Sequence, residues 1–280
     1  MSQGELFIVA TPIGNLQDFS PRAAKVLGDV DLVLAEDTLH SQGLLTHHGL
    51  RPELQSLHEH NEAHAVPGLV QRMVNGERMA VISDAGTPLI SDPGYRLVAA
   101  AHRAGIPVRT VPGPSAVIAV LSVSGLPTDR FSFEGFVPAR DGARARFLGA
   151  LASEPRTLVF FETGRRLLGS LAAMAEAFGE QRPLALCREL TKRFETVLYG
   201  PLAEVQARVR ADPDQTKGEF VLVVGGHSAA EEEQDLVAAI ELARTLTTEL
   251  PPSKAAQLAA RITGAPRRVL YDALTESGAD

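Results

Sequence analysis

Short apolar runs alternate with amphipathic stretches along the first half of the chain. The strand-like runs are residues 6–10, 32–35, 79–82 and 108–111. The stretches with helical spacing are residues 21–27, 66–75 and 95–104. Aliphatic runs of this length, separated by helical patterns, are typical of βαβ units. The pattern therefore predicts an α/β fold with a mostly parallel sheet and helices on its faces.

The second half has a different rhythm, beginning after a turn-rich stretch at residues 125–129. Its strand-like runs are residues 131–134, 157–161, 184–188, 194–199 and 219–224. Its helical stretches are residues 143–152 and 167–178. The last three strands follow one another with no predicted helix between them, which favours a mixed, partly antiparallel sheet.

Charge divides the tail into two parts. Residues 228–250 carry six acids and one arginine, whereas residues 251–268 carry four cations and no acid. The basic part predicts a helix over 253–262, a turn at Gly264 and a helix over 266–274, with Ser253 as N-cap, Gly264 at C′ and Pro266 at N1. This is a helix-turn-helix-like tail, and a solvated helical hairpin packed on the body is an equal alternative. We predict three parts: residues 1–124, 125–227 and 228–280.

Composition sets limits on the class of protein. A chain of 280 residues with 45% hydrophobic residues is long enough for two domains with buried cores. The single cysteine, Cys187, excludes an intramolecular disulfide, and no signal peptide or membrane-spanning run is visible, so we expect a cytoplasmic protein without membrane contact. Because the net charge is −7, any nucleic-acid binding must use local basic patches.

Three turn-rich loops follow predicted strands of the first half. Residues 83–94 hold two glycines and two prolines among polar side chains, while shorter loops lie at residues 11–15 and 112–116. Ligands bind at the carboxyl ends of strands in open α/β sheets, so the three loops together predict a small-ligand cleft, although each short loop alone is an ordinary turn. The loop at residues 11–15, after the first strand, lacks the G-x-G-x-x-G and P-loop patterns, which disfavours classical NAD binding and nucleotide hydrolysis.

Other polar clusters have simpler explanations. The stretch 58–64 contains three histidines but no zinc motif, so we expect no metal, and cleft lining or helix capping is favoured. Asp37 ends a strand and either orients a substrate or caps the next helix. Residues 188–193 hold three cations and a carboxylate, typical of a substrate clamp or of a surface strand end. No order of residues supports a nucleophilic hydrolase.

These motifs together resemble a known family. The matching stretches are residues 11–16, 35–38, 58–62, 83–94, 112–116, 128–131, 133–136 and 188–192, followed by the tail from Ser253 to Tyr271. In order and spacing they are similar to the bacterial ribosomal RNA small-subunit methyltransferase I family, from about residue 5 to the C-terminus. One departure lies in residues 161–166, where Arg165 stands in place of the family's usual histidine, and we assign Arg165 no catalytic role.

The resemblance implies a specific activity. Family members have the tetrapyrrole methylase fold, hold S-adenosylmethionine between two α/β domains, and methylate the ribose 2′-hydroxyl of a cytidine in the decoding region of 16S ribosomal RNA, generally as homodimers. Carried over to this chain, the donor-binding residues are Asp84, Ala85, Gly86, Pro88, Ser115 and Ala116.

The remaining roles concern the acceptor. Methyl transfer to an alcohol needs alignment and removal of a proton, and no metal. The candidate groups for the proton or for an RNA phosphate are Glu36, Asp37, His58, Glu59, Glu189 and Lys192. From these we choose Lys192, Glu189 and Asp37 as catalytic candidates. The RNA-binding candidates are Arg188, Arg193, Lys254, Arg261, Arg267 and Arg268.

Two other functions remain open at this point. One is a small-molecule methyltransferase of the same fold, acting on a tetrapyrrole, and the other is a non-catalytic ribosome-assembly factor. The basic tail and the first loop without a glycine-rich pattern disfavour the former, and the intact loop at residues 83–94 disfavours the latter.

Overall fold

The first half of the chain is a five-stranded parallel sheet flanked by helices. The computed structural model describes residues 4–276, and for residues 229–232 and 276 it describes the backbone alone. The elements of this half are β1 (Leu6–Val9), α1 (Pro21–Asp29), β2 (Leu32–Ala35), α2 (Thr38–His47), β3 (Leu54–Ser56), α3 (Glu59–Val74), β4 (Met79–Ile82), α4 (Tyr95–Arg103), β5 (Val108–Val111) and α5 (Ala116–Val123). The strands lie in the order β3-β2-β4-β1-β5, and every pairing is parallel. The carboxyl ends of these strands therefore meet at one edge.

The second half forms another five-stranded sheet. Its elements are β6 (Phe131–Phe136), α6 (Asp141–Gly149), β7 (Thr157–Thr163), α7 (Gly164–Phe178), β8 (Pro183–Arg188), β9 (Thr196–Pro201), α8 (Leu202–Ala211) and β10 (Glu219–Val224). The strand order is β6-β7-β10-β8-β9, in which β6 and β7 are parallel and the other pairs antiparallel. The mixed sheet is as predicted, but α8 lies between β9 and β10, so the expected run of three strands without a helix was wrong.

The tail consists of α9 (Ala229–Leu246), α10 (Pro252–Thr263) and α11 (Arg267–Glu276). Small side chains pack these helices together: Ala239 and Ala243 of α9, Ala256 and Ala259 of α10, and Leu270 of α11 are fully buried. Gly264 ends α10 in the left-handed conformation, with φ of 79°. The caps differ from prediction, because Pro251 is the N-cap of α10, with Ser253 inside the helix, and Pro266 precedes α11.

Contacts divide the chain into two compact units. One comprises residues 1–150 and 157–225, and the other comprises residues 151–156 and 226–280. Both sheets thus belong to the first unit, and the tail helices belong to the second. None of the described helices combines the length and the hydropathy that a bilayer crossing requires.

The core of the first sheet lies on both of its faces. Leu6, Leu34, Met79 and Leu97 are fully buried between the sheet and the helices α3 and α4. Strands covered on both sides read as unbroken apolar runs, which explains why their sequence pattern was easy to recognise.

Candidate active site

Two loops of the first sheet are tied together at the carboxyl ends of adjacent strands. The buried Thr11, after β1, exchanges backbone hydrogen bonds with Gly86, after β4, with N···O distances of 2.9 and 3.2 Å. The Thr11 hydroxyl also donates to the carbonyl of Ser83 at 3.1 Å. The predicted grouping of these loops is therefore built by direct bonds between them.

The third loop, after β5, joins the same edge. The Thr87 hydroxyl donates to the carbonyl of Pro114 at 3.0 Å, and Ser115 is the N-cap residue of α5. An added Cβ on Gly113 would come within 3.0 Å of the Ala10 side chain, so this loop needs glycine to lie against the end of β1.

A loop of the second sheet, residues 189–192 after β8, closes the site from the other side. Gly14 lies so close to it that an added Cβ would be 2.5 Å from Cγ of Lys192 and 3.0 Å from the carbonyl oxygen of Leu190. Glycine at position 14 therefore lets the loop at residues 11–15 contact the loop at residues 189–192.

Between the two sheets is a cavity of about 240 Å³. Its lining residues are Ile13, Ala85 and Ala116 from the first sheet's loops, and Phe136, Phe161, Glu162, Thr163, Cys187, Leu190, Lys192, Glu219, Phe220 and Val221 from the second sheet. The wall is mostly apolar, and burial raises the pKa of the Cys187 thiol to about 12, so the thiol is neutral. An apolar cavity with a few charged groups is typical of a small-molecule site.

A smaller cavity of about 130 Å³ shares Ala85, Ala116, Phe136 and Phe161 with the first. Its other lining residues are Gly86, Thr87, Ile90, Ser91, Asp92, Ser115 and Val117. The two spaces are thus lined in part by the same side chains and together offer an apolar and a polar section.

Glu162, which the sequence analysis did not single out, supplies a buried carboxyl group to the site. Its side chain is fully buried, forms an ion pair with Arg166 at 2.9 Å, accepts the backbone NH of Thr163 at 2.7 Å and bonds the Ser170 hydroxyl. Arg166 in turn donates to the carbonyl of Val137 at 3.3 Å, beside Phe136. This network fixes one wall of the cavity. In the sequence, the only hint of it was the position of Glu162 at the end of an apolar run, in the last part of β7.

Lys192 is held by two carboxylates. Its ammonium nitrogen lies 3.1 Å from Oε1 of Glu189 and 2.8 Å from Oε2 of Glu219. Burial opposes the positive charge of Lys192, but the hydrogen bonds to the two glutamates and their negative charges outweigh burial and raise the pKa of Lys192. For Glu189, burial is likewise outweighed, since the Glu219 backbone NH and Lys192 lower its pKa. Both groups are therefore charged at neutral pH, and neither suits proton exchange.

On the opposite side of the site, the carboxylates of Glu36, Asp84 and Asp92 form no ion pair with a lysine or arginine among the residues that the structure describes. Burial raises the pKa of Asp92 to about 6, and the charges of Glu36 and Asp84 add to this rise. Burial together with Asp84 also raises the pKa of Glu36, against the attraction of His58. Asp92 was not among the predicted site residues, because only the folded loop brings it beside Glu36.

Four of the six residues predicted to bind the methyl donor line the two cavities. Ala85, Gly86, Ser115 and Ala116 line the cavities, whereas Asp84 and Pro88 are absent from both linings. Asp84 is exposed and accepts the backbone NH of Asp37 at 3.2 Å, and Pro88 is buried.

Several other predicted residues have structural contacts. Asp37 caps α2 by accepting the NH groups of Leu39 and His40 at 2.8 and 3.1 Å. Arg188 donates to the carbonyls of Lys217 and Phe194 at 2.6 and 3.1 Å. Arg193 is exposed, with its guanidinium over the Phe194 ring.

In the tail, the four predicted cations, Lys254, Arg261, Arg267 and Arg268, are all exposed. Arg267 donates to the hydroxyl of Ser253 at 3.1 Å, and Arg268 lies 3.7 Å from a carboxylate oxygen of Asp272.

The stretch at residues 58–64 caps helices. Asn61 accepts the backbone NH of His58 at the start of α3, and the buried Glu62 accepts the NH groups of Arg96 and Leu97 at the start of α4. Among the side chains that the structure describes (residues 4–228 and 233–275), no three His, Cys, Asp or Glu side chains are grouped so that they could hold a metal ion.

Known families match this chain along most of its length. Residues 5–206 match the model of the tetrapyrrole (corrin/porphyrin) methylases, and residues 233–278 match that of the RsmI C-terminal HTH domain. Among solved structures, the chain is similar to uroporphyrin-III-C-methyltransferase from Thermus thermophilus, with a TM-score of 0.56 and 24% identity over 80% of this chain and 94% of that one. A diphthine synthase gives a TM-score of 0.60 at 16% identity, covering 79% of this chain and 89% of the other. These likenesses confirm the predicted fold.

Curated relatives are much closer in sequence. Ribosomal RNA small subunit methyltransferase I of Xylella fastidiosa is 53% identical, covering 96% of this chain and 98% of the relative. The protein of the same name from Pseudomonas aeruginosa is 52% identical, over 97% and 96% of the two chains, and that from Escherichia coli O157:H7 is 49% identical, over 99% and 97%. The chain therefore belongs to the ribosomal RNA small subunit methyltransferase I family, within the tetrapyrrole methylases.

Proposed function

We propose that this chain transfers the methyl group of S-adenosylmethionine to the ribose 2′-hydroxyl of a cytidine in 16S ribosomal RNA. The family is one of ribosomal RNA methyltransferases, and the name of its members specifies the small subunit. The observation that carries the proposal is the pair of adjoining cavities, lined by loops of both sheets, in a member of this family. The choice of cytidine and of the 2′-oxygen rests on the resemblance described above.

The lining fits S-adenosylmethionine. Phe136, Phe161, Ile13 and Leu190 offer an apolar wall for an adenine ring. Gly86 has φ of 84°, and an added Cβ would lie 3.1 Å from the Ile13 side chain, so the loop backbone borders the space as only glycine allows. A related uroporphyrin-III C-methyltransferase from Thermus thermophilus was solved in complex with S-adenyl homocysteine. When bound, the donor supplies the electrophilic methyl group.

The chain's own part is alignment and charge. Lys192 stays protonated at the cavity wall, where it supplies a fixed positive charge for a phosphate or for the hydroxyl oxygen of the acceptor. Glu189 orients Lys192. The Asp37 carboxylate caps α2 and so positions the adjacent loop, and we assign it no part in removing the proton. Holding the methyl donor and the acceptor oxygen in line accounts for a large part of the lowering of the activation free energy in such transfers.

Binding of RNA depends on local cations, because the net charge of −7 repels it at long range. We propose that Arg193 and the four exposed cations of α10 and α11 contact phosphates. Arg188 is engaged with two backbone carbonyls and contributes chiefly by holding the loop at Lys192.

We also propose a homodimer acting on small ribosomal subunits in the cytoplasm. Light scattering with and without particles tests the dimer.

Transfer of a tritiated methyl group tests the function. The chain is incubated with labelled S-adenosylmethionine and either small-subunit particles, naked 16S RNA or a tetrapyrrole. We expect label in the particle RNA and, after alkaline hydrolysis, in an intact dinucleotide, because a 2′-O-methyl group blocks cleavage of the following phosphodiester. Label in mononucleotides would indicate base methylation and overturn the 2′-O assignment. Label in the tetrapyrrole alone would overturn the RNA substrate.

A further inference from the structure

The loop at residues 83–94 has an unusual backbone next to the smaller cavity. Leu89 and Ser91 have φ of 73° and 69°, in the left-handed region that residues other than glycine and asparagine rarely adopt. Such positions persist where the surrounding structure enforces them, and they cluster at functional sites. The strained turn brings the next residue, Asp92, into the lining of the cavity that Gly86, Ser115 and Ala116 also border.

Asp92 faces other acids there. Glu36 comes from the end of β2 and Asp84 from the end of β4, and both act on the Asp92 carboxylate as negative charges, while the Ser83 side chain acts in the opposite sense. His58, at the start of α3, faces Glu36. None of these contacts is an ion pair of Asp92 with a lysine or arginine. Half-buried among like charges, the carboxylate gains more from taking up a proton than an exposed aspartate does.

We propose that the Asp92 carboxylate accepts the proton of the acceptor hydroxyl. The inference rests on the proposed function and adds the residue that handles the proton. The ribose oxygen forms a bond with the methyl carbon while the bond from that carbon to sulfur breaks. The electron pair of the broken bond stays on sulfur, which leaves neutral S-adenosylhomocysteine, and the hydroxyl proton passes to Asp92.

Two properties suit Asp92 to this role better than the other acids. Its pKa of about 6 leaves it ionised at neutral pH yet more basic than an ordinary aspartate, which is the range in which a general base is effective. It also lies in the lining of the cavity, whereas Glu36 is absent from that lining and Glu189 is bound to Lys192.

The test is Asp92→Asn, which keeps the shape of the side chain and removes the base. We expect methylation of small-subunit particles at pH 8 to fall at least about a hundredfold. Donor affinity, measured by calorimetry, should change less than about threefold, since binding needs no proton transfer. Asp29→Asn, at an exposed position at the end of α1, is the matched control and should behave as the wild type.

The pH dependence separates a base from a structural residue. Wild-type rates at saturating donor should fall below about pH 6, and Asp92→Asn should lose this dependence. Glu36→Gln should keep the acidic limb but move it to lower pH, because one of the charges that raise the Asp92 pKa is gone. Loss of the limb in Glu36→Gln would instead assign the base to Glu36.

Failure of this inference is distinct from failure of the proposed function. If wild-type label appears in alkali-resistant dinucleotides but Asp92→Asn is fully active, only Asp92 is excluded as the base. If Asp92→Asn weakens donor binding more than about tenfold and has wild-type rates at saturating donor, Asp92 is a donor ligand and the inference is overturned.

Discussion

Two loops border the same cavity with opposite electrostatics. The loop at residues 83–94 and the loop at residues 189–192 each contain two residues other than glycine with positive φ: Leu89 and Ser91 in the first, Glu189 and Thr191 in the second. In the first loop, carboxylates face one another and the pKa of Asp92 rises. In the second, Lys192 lies between two glutamates, and the pKa of Glu189 falls.

The difference shows how similar backbones serve different tasks. A buried acid without a cation stays close to protonation, so it exchanges a proton readily. An acid paired with a lysine keeps its charge and fixes the position of that lysine. We interpret the first loop as the donor and proton side of the site, and the second as a rigid, charged support for the acceptor.

Gly86→Val should abolish measurable donor binding and activity, the largest effect that we expect. Gly86 lines the smaller cavity, and even the Cβ of a valine at this position would lie 3.1 Å from the side chain of Ile13, which lines the larger one. The positive φ of 84° adds a backbone penalty of about 1–2 kcal/mol to the free energy of unfolding. Calorimetry with S-adenosylmethionine measures the loss of binding.

Gly105→Val is the matched control for that backbone penalty. Gly105 has φ of 70°, and an added Cβ there meets nothing within 4 Å. It should lower the thermal stability to a similar extent and leave donor affinity unchanged. Normal donor binding by Gly86→Val would show that the first loop does not hold the donor.

Lys192→Ala should reduce methylation of particles at least about tenfold, which corresponds to roughly 1.4 kcal/mol of transition-state stabilisation. The variant removes the fixed cation from the second loop and leaves Glu189 and Glu219 without it, while donor affinity should stay nearly normal. Lys217→Ala removes an exposed ion pair with Asp214 and should have no such effect. A fully active Lys192→Ala would confine the chemistry to the first loop.

Changing the four tail cations to glutamine should weaken particle binding about fivefold at physiological salt and reduce the salt slope by up to roughly 0.7 per lost contact. Lys254, Arg261, Arg267 and Arg268 are exposed, so the helices should keep their packed alanine core. Donor affinity is the internal control. An unchanged salt slope would leave these cations without a role in RNA binding.

Much of the fold could be predicted from the sequence because the central strands of both sheets, such as β2, β4 and β10, are largely buried. Three of the first sheet's strands were predicted with the observed bounds, including β2 and β4. The three-residue β3 was missed, since its half-buried side chains leave no apolar run. Helix α5, an almost wholly apolar segment, has no periodicity to detect. Helix α8 was missed although Leu202, Val205 and Val209 follow helical spacing, so there the signal was present.

Lys192, which lines the larger cavity, was predicted from the cluster of charges at residues 188–193. Elsewhere the candidate site could be predicted only where loops carry glycine and proline. Those residues marked the loops that meet around Gly86, since their backbone conformation is a local property. Asp92 and Glu162 carry no comparable mark. The raised pKa of Asp92 depends on Glu36, which is far from it in the chain. The partners of Glu162, namely Thr163, Arg166 and Ser170, are near it in sequence but form no pattern that marks a site. The roles of the predicted site residues stay predictions until the variants are measured.

The smallest effect that we expect, and the most direct comparison of the two loops, is in stability against pH. Asp92 has a folded pKa of about 6, above its ordinary value of 3.8, so ionisation of Asp92 destabilises the fold as pH rises between these values. The full difference corresponds to about 3 kcal/mol, and solvent screening of this half-exposed group reduces it to about 1 kcal/mol. Asp92→Asn should therefore be more stable than the wild type above about pH 7, and the gain should vanish near pH 4.

Glu189→Gln should change stability in the opposite direction. Its pKa is lowered in the fold, so the ionised side chain contributes stability that is present above its ordinary value of 4.5 and is lost as pH falls through the folded pKa. The variant should be less stable than the wild type at pH 8 and approach it in acid. Urea unfolding of both variants and the wild type at pH 4, 6 and 8 measures the two trends. If both variants shift stability with the same sign at pH 8, the electrostatic contrast between the loops is wrong, whatever their activities.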